Sequence, residues 1–215
     1  RCRAAACRLS GFWAVSLEPS WQVGVSLART LAGLAMFSQA RELFEQLQLW
    51  EEMVEALIML HKREEAEAVV RERLQLAPDS HDAPNMWCLL GDLSGETQHY
   101  EKAWSLSKGG CARAKLALGA KAMKAEQWEV AREELMEAVR LKPQLVEAWY
   151  CRGVCAIKME QESVALTDFR RVVAAEPSHY QAWACLGQLF SRAKMKREAC
   201  FAYREAARLR PGEVQ

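Results

Sequence analysis

Apolar residues recur along most of this chain at the spacing of amphipathic helices. Near its end, steps of three, one and three residues place one apolar face on a first helix, formed by Trp183, Leu186, Gly187 and Phe190. Steps of four and three then give the buried stripe of a second helix, formed by Ala199, Tyr203 and Ala206. Pro211 ends this segment because proline cannot continue a helix. The pattern predicts a helical hairpin.

The same pattern recurs at a fixed interval. Pro143, Pro177 and Pro211 are each about 34 residues from the next. The segment before the last carries the pattern at Trp149, Gly153, Ala165, Phe169 and Pro177. A period of this length indicates one helical hairpin that is copied and stacked, each copy packing on its neighbours. We therefore predict an all-α solenoid of stacked antiparallel helix hairpins.

The 34-residue period divides the chain into repeat segments, but the period is interrupted on the N-terminal side of residue 112. The predicted segments are an N-terminal edge or end of a preceding helix (1–20), a short irregular hairpin (21–46), a hairpin plus loop (47–83), a shortened hairpin (84–111) and three full repeats (112–145, 146–179 and 180–213). The breaks fall at Gly109 and Gly110 and in the turn-rich loop 78–84. The second helices of 21–46 and 84–111 are therefore expected to be short.

Residue size along the pattern has a packing reason. Gly187, Ala199 and Ala206 allow two helices to approach closely, while the larger Trp183, Phe190 and Tyr203 fill the wider spaces. Gly187→Leu is expected to overpack the hairpin, at a cost of about 1–3 kcal/mol.

These residue types resemble the tetratricopeptide repeat, whose pattern is Trp, Leu, Gly, Tyr, Ala, Phe, Ala and Pro. The last repeat fills all eight positions, with Phe190 and Tyr203 exchanging aromatic types. The resemblance covers about residues 21–213 and implies a right-handed superhelix whose usual role is to bind other proteins.

The irregular segments carry a narrower resemblance, to the tetratricopeptide repeat protein 27 family. It rests on the order of the stretches 43–47, 49–52, 87–92, 100–107 and 112–114. The resemblance implies a eukaryotic, intracellular interaction protein, cytoplasmic or nuclear. Because those proteins are larger and this chain opens with Arg1, we expect a piece of a longer protein.

Composition narrows the possible partners. A formal net charge of +1, with acids and bases alternating along the helices, argues against nucleic-acid binding driven by phosphate contacts. No apolar run approaches the roughly 18 residues of a membrane span. Residues 1–20 contain Arg1, Arg3 and Arg8 with one acid, Glu18, which fits either a transit peptide or a helix end.

The eight cysteines are expected to be reduced and mostly buried in an intracellular protein. Cys88, Cys185 and Cys200 occupy positions that suit small apolar residues, and Cys151 and Cys155 are one helical turn apart. There is no CxxC pair, so the sequence gives little support for a zinc site. We expect no metal and no cofactor.

The repeat resemblance implies that first helices line a concave groove that holds partner segments. The expected groove residues are Arg113, Leu116, Ala120 and Lys124, then Glu147, Tyr150, Val154 and Lys158, then Gln181, Ala184, Gln188 and Arg192. Each of these residues could instead be ordinary solvent-exposed surface.

No catalytic constellation is visible. The four histidines are far apart in the repeat order, and there is no nucleophile elbow, Walker loop or HExxH motif. We predict a non-catalytic scaffold that binds other proteins or peptide segments. The alternatives left open are a non-catalytic arm of a larger enzyme, an RNA-processing scaffold, and a co-chaperone without the usual carboxylate clamp. Tyr150 and Val154 occupy places where that clamp needs Lys and Asn.

Overall fold

The structure is a computed structural model that describes residues 20–34 and 36–209 of the 215-residue chain. These residues form helices and turns without a strand. The helices are α1 (Ser20–Gly33), α2 (Phe37–Gln46), α3 (Trp50–Met59), α4 (Arg63–Leu76), α5 (Ala83–Ser94), α6 (Thr97–Leu106), α7 (Ala112–Lys124), α8 (Trp128–Leu141), α9 (Val146–Lys158), α10 (Glu162–Ala175), α11 (Tyr180–Arg192) and α12 (Lys196–Leu209). None of these helices is both long enough and apolar enough to cross a membrane.

The chain divides into two compact units, residues 1–73 and 74–215. The first unit contains α1 to α3 and α4 as far as Arg73. Its core includes the fully buried Phe44 of α2 and Leu57 of α3. The guanidinium of Arg73 lies over the ring of Trp50, 5.0 Å from its centroid, which links α4 to α3.

The second unit is a row of four hairpins. They are α5–α6, α7–α8, α9–α10 and α11–α12, and consecutive hairpins pack through α6 on α7, α8 on α9 and α10 on α11. The second helix α6 has 10 residues, whereas α8, α10 and α12 each have 14. In each hairpin the first helix and the second helix pack along one shared apolar seam.

A glycine lies at the close approach in each of these hairpins. The pairs are Gly91 with Tyr100, Gly119 with Leu135, Gly153 with Phe169, and Gly187 with Tyr203. A Cβ atom added to Gly153 would lie 2.9 Å from the Phe169 ring, too close for an ordinary contact. In the three longer hairpins the glycine and its partner are 16 residues apart along the chain, and in the short hairpin α5–α6 they are nine residues apart. The difference is close to two turns of 3.6 residues, so the large side chain stays on the same helix face.

In the second unit, three turns within hairpins contain a residue other than glycine with positive φ. These are Glu126 (φ 57°), Glu160 (φ 59°) and Lys194 (φ 59°). The next residue closes each turn by donating its N–H to the preceding helix, as Gln127 does to the Ala122 carbonyl at 2.9 Å. This is the left-handed termination that glycine usually supplies. No glycine marks these three turns, so they could not be recognised from a glycine position.

Some predicted positions are not buried. Tyr203, expected in the buried stripe of the last hairpin, is 43% exposed, and Ala206 is half-buried. Cys200 is exposed, so the expectation of a position suited to an apolar residue is wrong there. The physical reason is that no described helix packs on the outer face of α12. Pro211 and most of the predicted N-terminal edge lie outside the described residues.

Candidate functional site

The expected groove residues lie on the first helices α7, α9 and α11 of the three regular hairpins. Within each helix the four positions step by three, four and four residues, which places their side chains on one face. All twelve are exposed or half-buried, and none is fully buried. The same four positions thus repeat on three consecutive first helices. We call these twelve residues the repeat face.

The middle of the repeat face is largely apolar and is anchored in the core. Leu116, Tyr150 and Val154 are half-buried and pack against buried residues of the second unit. The Tyr150 ring lies 4.8 Å from the His179 ring and 5.8 Å from the Phe169 ring, measured between centroids. These neighbours fix the tyrosine ring, and burial raises the pKa of its hydroxyl. Tyr150 is therefore a preorganised aromatic surface.

One edge of the repeat face carries three exposed cations at equivalent positions, Lys124, Lys158 and Arg192. Each lies at the C-terminal end of its helix, where a positive charge interacts favourably with the free carbonyl groups. Arg192 is 3.7 Å from a carboxylate oxygen of Glu162. The edge is mixed in charge, because the exposed Glu126 and Glu160 lie in the turns that follow.

Arg113, at the opposite end of the repeat face, is already engaged by the protein. Its guanidinium donates to Asp92 Oδ2 at 3.0 Å. The hydroxyl of Tyr100 donates to Asp92 Oδ1 at 2.7 Å, and burial together with this bond raises the pKa of Tyr100. This cluster joins α5, α6 and α7, so Arg113 has a structural role in addition to its place on the repeat face.

Two ionic contacts compensate for charged residues at apolar repeat positions. Lys115 stands at the tryptophan position, and its Nζ lies 2.6 Å from Glu134 Oε2. Arg152 stands at the leucine position, and its Nε donates to Asp168 Oδ2 at 2.8 Å. Sequence reasoning missed both pairs.

A sequence signal for these pairs existed. Glu134 and Asp168 each come directly before the residue that faces the hairpin glycine, Leu135 and Phe169. The last hairpin has apolar residues at both first-helix positions and carries the small Ala202 at the corresponding second-helix position. An acid at this place, together with a base on the first helix, predicts an ion pair across the hairpin.

The recurring tryptophans and prolines are joined by hydrogen bonds. Trp149 Nε1 donates to the Pro143 carbonyl at 2.8 Å, and Trp183 Nε1 donates to the Pro177 carbonyl at 2.9 Å. Each bond ties a first helix to the end of the preceding hairpin. The repeated Trp and Pro positions therefore serve the stacking of hairpins.

Two of the histidines, His179 and His99, have structural surroundings. His179 precedes α11 and accepts a hydrogen bond from the Ala182 N–H at 3.2 Å. The His99 ring stacks on Trp87 with centroids 5.6 Å apart. Among the residues that the structure describes, no group of three or more His, Cys, Asp or Glu side chains could hold a metal ion.

Stacked helical hairpins with this Trp, Gly, Ala and Pro pattern define the class of tetratricopeptide repeat proteins. No family model matches the chain. In sequence it is 28% identical over 146 residues to the tetratricopeptide repeat protein 27 homolog of Dictyostelium discoideum, covering 68% of this chain and 17% of that protein. It is also 28% identical to the tetratricopeptide repeat-containing protein trd-1 of Caenorhabditis elegans, covering 69% of this chain and 19% of that protein.

These similarities confirm the predicted resemblance to tetratricopeptide repeat protein 27. A further relative, the TPR repeat-containing protein C19B12.01 of Schizosaccharomyces pombe, is 28% identical over 68% of this chain and 18% of that protein. The chain thus matches less than a fifth of the length of these curated relatives.

Solved structures share the fold. Cut9–Hcn1, a hetero-tetramer of the APC/C, aligns with a TM-score of 0.70 and 13% identity over 90% of this chain and 41% of that chain. PilF of Pseudomonas aeruginosa aligns with a TM-score of 0.65 and 18% identity over 75% of both chains. YrrB, a TPR protein with an unusual peptide-binding site, aligns with a TM-score of 0.52 and 21% identity over 83% of this chain and 94% of that chain. The predicted all-α tetratricopeptide solenoid is confirmed.

Proposed function

We propose that this chain is a non-catalytic scaffold that holds an extended segment of a partner protein along the repeat face. The observation that carries the proposal is the recurrence of four equivalent positions on α7, α9 and α11, with partly exposed apolar side chains at the centre. A periodic surface of this kind suits an extended chain, whose own side chains recur at a regular interval. YrrB, which shares the fold, has a peptide-binding site of its own.

The centre of the repeat face supplies the binding energy in this proposal. Tyr150 is already held by His179 and Phe169, so a partner loses little side-chain entropy on contacting it. Aromatic residues in such fixed positions frequently dominate the energy of an interface. Leu116 and Val154 extend the apolar strip to either side of the tyrosine. An apolar side chain of the partner would lie against this strip.

The polar edges would set the register of the bound segment. Lys124, Lys158 and Arg192 offer donors along one edge, and Glu147 and Gln181 add an acceptor and an amide at the other. Rim charges of this kind affect association rate and specificity more than affinity. The proposed partner segment therefore has apolar anchors in its centre and polar residues that match a mixed edge.

The proposed location is intracellular, cytoplasmic or nuclear. The six cysteines that the structure describes are free thiols, a state that the reducing cytosol and nucleus maintain. The aligned part covers less than a fifth of the matched relatives, so the role proposed here is that of this chain alone.

The experiment compares two double variants of the full-length protein. Tyr150→Ala with Arg192→Ala removes an anchor and an edge cation from the repeat face. Met136→Ala with Arg140→Ala removes a comparable exposed apolar and basic pair from the second helix α8. Affinity purification from the native host, with quantitative mass spectrometry, measures which partners each variant retains.

We expect the recovery of specific partners to fall at least about tenfold for the repeat-face variant, which corresponds to a loss of ~1.4 kcal/mol in binding free energy. The α8 variant should recover its partners at the level of the unsubstituted protein. Circular dichroism melts check that both variants remain folded. Equal recovery by the two folded variants would refute the assignment of the repeat face. A photo-crosslinking residue placed at Ala184 would then show whether any partner touches this surface.

A further inference from the structure

Two buried cysteines from different hairpins lie side by side. The Sγ atom of Cys88, on α5, is 3.7 Å from the Sγ atom of Cys111, the residue that precedes α7. Cys88 is fully buried, and Cys111 is 8% exposed. Both residues fall in the predicted segment 84–111, and the packing of α7 against α5 brings their side chains together.

The surroundings favour a thiolate on Cys111. The two sulfur atoms are hydrogen-bonded with either one able to donate, and the backbone N–H groups of Ala114 and Arg113 at the start of α7 also point to the Cys111 sulfur. These contacts, with the nearby Arg113 guanidinium, lower the pKa of Cys111 to about 6 although burial opposes the shift. Cys88 keeps the shared proton, so its pKa is raised. A helix N-terminus next to a thiol is a recognised setting for a reactive cysteine.

The cluster around the two thiols is otherwise apolar. Tyr100, Ala103 and Ala114 pack against them, with Asp92 held at the rim by Arg113. Cys111 lies at the end of the short segment 107–111, where Gly109 has a φ of 81° and the Cys111 N–H donates to Ser107 Oγ at 3.0 Å. The only solvent-exposed part of the pair is therefore on this turn, on the Cys111 side.

We propose that Cys88 and Cys111 form a redox-active dithiol that a hydroperoxide converts to a disulfide, which ties α5 to the start of α7. In the first step the Cys111 thiolate attacks the peroxide oxygen, giving a sulfenic acid and releasing hydroxide, or an alkoxide from an organic hydroperoxide. In the second step the Cys88 sulfur attacks the Cys111 sulfenic sulfur, the S–O bond breaks and water leaves. The two thiols are oxidised by two electrons, and the peroxide O–O bond is reduced.

The proposal is specific to this pair. Cys151 and Cys155 are also neighbours, but they lie one turn apart on the single helix α9. Residues at that spacing on a helix have Cβ atoms about 5–6 Å apart, farther than the roughly 3.5–4.5 Å of a disulfide. Burial raises the pKa of both thiols to about 11, so they are also poor nucleophiles. Cys155 is therefore the matched buried control.

The test treats the full-length protein with hydrogen peroxide, blocks the remaining thiols with N-ethylmaleimide, and maps disulfides by peptide mass spectrometry without reduction. We expect a peptide pair joined through Cys88 and Cys111, with both residues losing the maleimide label, and dithiothreitol should restore the label. Cys155→Ser should keep the cross-link. Cys88→Ser should stop the reaction at a Cys111 sulfenic acid, which dimedone traps.

Two results would overturn the proposal. In one, both thiols stay available to N-ethylmaleimide after denaturation while the exposed Cys200 is oxidised. In the other, Cys88 or Cys111 pairs mainly with a different cysteine of the native protein. The unsubstituted protein decides both points, so a variant that fails to fold does not affect the outcome. The proposal does not depend on partner binding by the repeat face.

Discussion

The guanidinium of Arg152 binds both carboxylate oxygens of Asp168, whose side chain is fully buried between α9 and α10. The Arg152 side chain is only 18% exposed and also lies over the ring of Trp149, 4.4 Å from its centroid. An isolated carboxylate at this place would pay a large desolvation cost. The two-point contact, with charge on both partners, is what allows Asp168 to occupy the seam of the hairpin.

We predict that removing only one member of the Arg152–Asp168 pair lowers the free energy of unfolding more than removing both members does. Asp168→Ala leaves the mostly buried Arg152 without its carboxylate and should lower the free energy of unfolding by about 3–5 kcal/mol. Arg152→Leu with Asp168→Ala reproduces the apolar combination that Leu186 and Ala202 form in the last hairpin. Replacing a buried ion pair with apolar residues is often neutral or stabilising. Urea denaturation should therefore show the double variant close to the unsubstituted protein; a single variant as stable as the double would contradict the argument.

Alanine substitutions at two hairpin glycines are expected to differ in their effect on stability, because the ring facing Gly153 is buried and the ring facing Gly187 is partly exposed. An alanine at Gly153 meets the Phe169 ring, which is fully buried and cannot shift, so the variant should be destabilised by about 1–3 kcal/mol. An alanine at Gly187 meets the Tyr203 ring at 2.7 Å, but that ring is 43% exposed and can move outward. The gain in helix propensity, up to about 1 kcal/mol, then offsets much of the cost. Thermal melts of the two variants compare them directly, and an equal loss would show that the exposed ring is as fixed as the buried one.

The last hairpin is expected to open more readily than the one before it. In α12 only Ala199 and Ala202 are buried, while Phe201 is 48% exposed. In α10 the buried set includes Phe169 and Val172 together with the Asp168 pair. Regions with few buried apolar contacts open at lower free energy. Native-state hydrogen exchange of the full-length protein should show faster exchange in α12 than in α10, and equal protection would indicate that another part of the protein covers α12.

The free thiols should react with iodoacetamide in an order set by exposure and protonation. Burial is the largest cause that raises the pKa of Cys155 from 9.0 to about 11. At pH 8 this shift leaves about a hundredfold fewer thiolates than an unshifted thiol would have, and the thiolate is the reactive form. The pKa of Cys151 is also raised to about 11, so Cys151 should be similarly slow, whereas the exposed Cys200 should react before both of them.

A time course of alkylation in the native protein, read by peptide mass spectrometry, measures this order. Raising the pH toward 11 should speed the labelling of Cys155, because its thiolate fraction grows over that interval. Rapid labelling of Cys155 at pH 8 would show that α9 opens to solvent far more often than its burial indicates. Labelling in denaturant provides the control, since all thiols then react at similar rates.

The sequence predicted the helical repeat well because its signals are local. The spacing of Trp183, Gly187 and Ala199 reflects helix periodicity and the close approach of two short segments joined by a tight turn. Gly109 and Gly110 also interrupt the period within a few residues, which is why the sequence predicts shortened hairpins upstream. By contrast, the prediction that Tyr203 is buried was wrong. Its burial would need a further helix packed on the outside of α12, and the repeat pattern does not show whether such a helix is present.

The candidate site was predictable only in part. Helix geometry places the repeat-face residues on one side of α7, α9 and α11, so the sequence could list them. The contacts that engage or orient these side chains could not be predicted from their positions in the sequence. Arg113 is engaged by Asp92 of another hairpin, and Tyr150 is held by His179 of the next one. These contacts cross hairpin boundaries, and their partners have no fixed spacing in the sequence.

The all-helical solenoid of stacked hairpins follows from the amino-acid sequence alone, since its signals depend on residues within one period. The pairing of Asp168 with Arg152 and the contact between Cys88 and Cys111 follow only from the packed structure. Both results depend on how side chains from separate helices converge after packing. Helix periodicity fixes the face on which a residue lies, but the distance between two faces is set by the volumes packed between them.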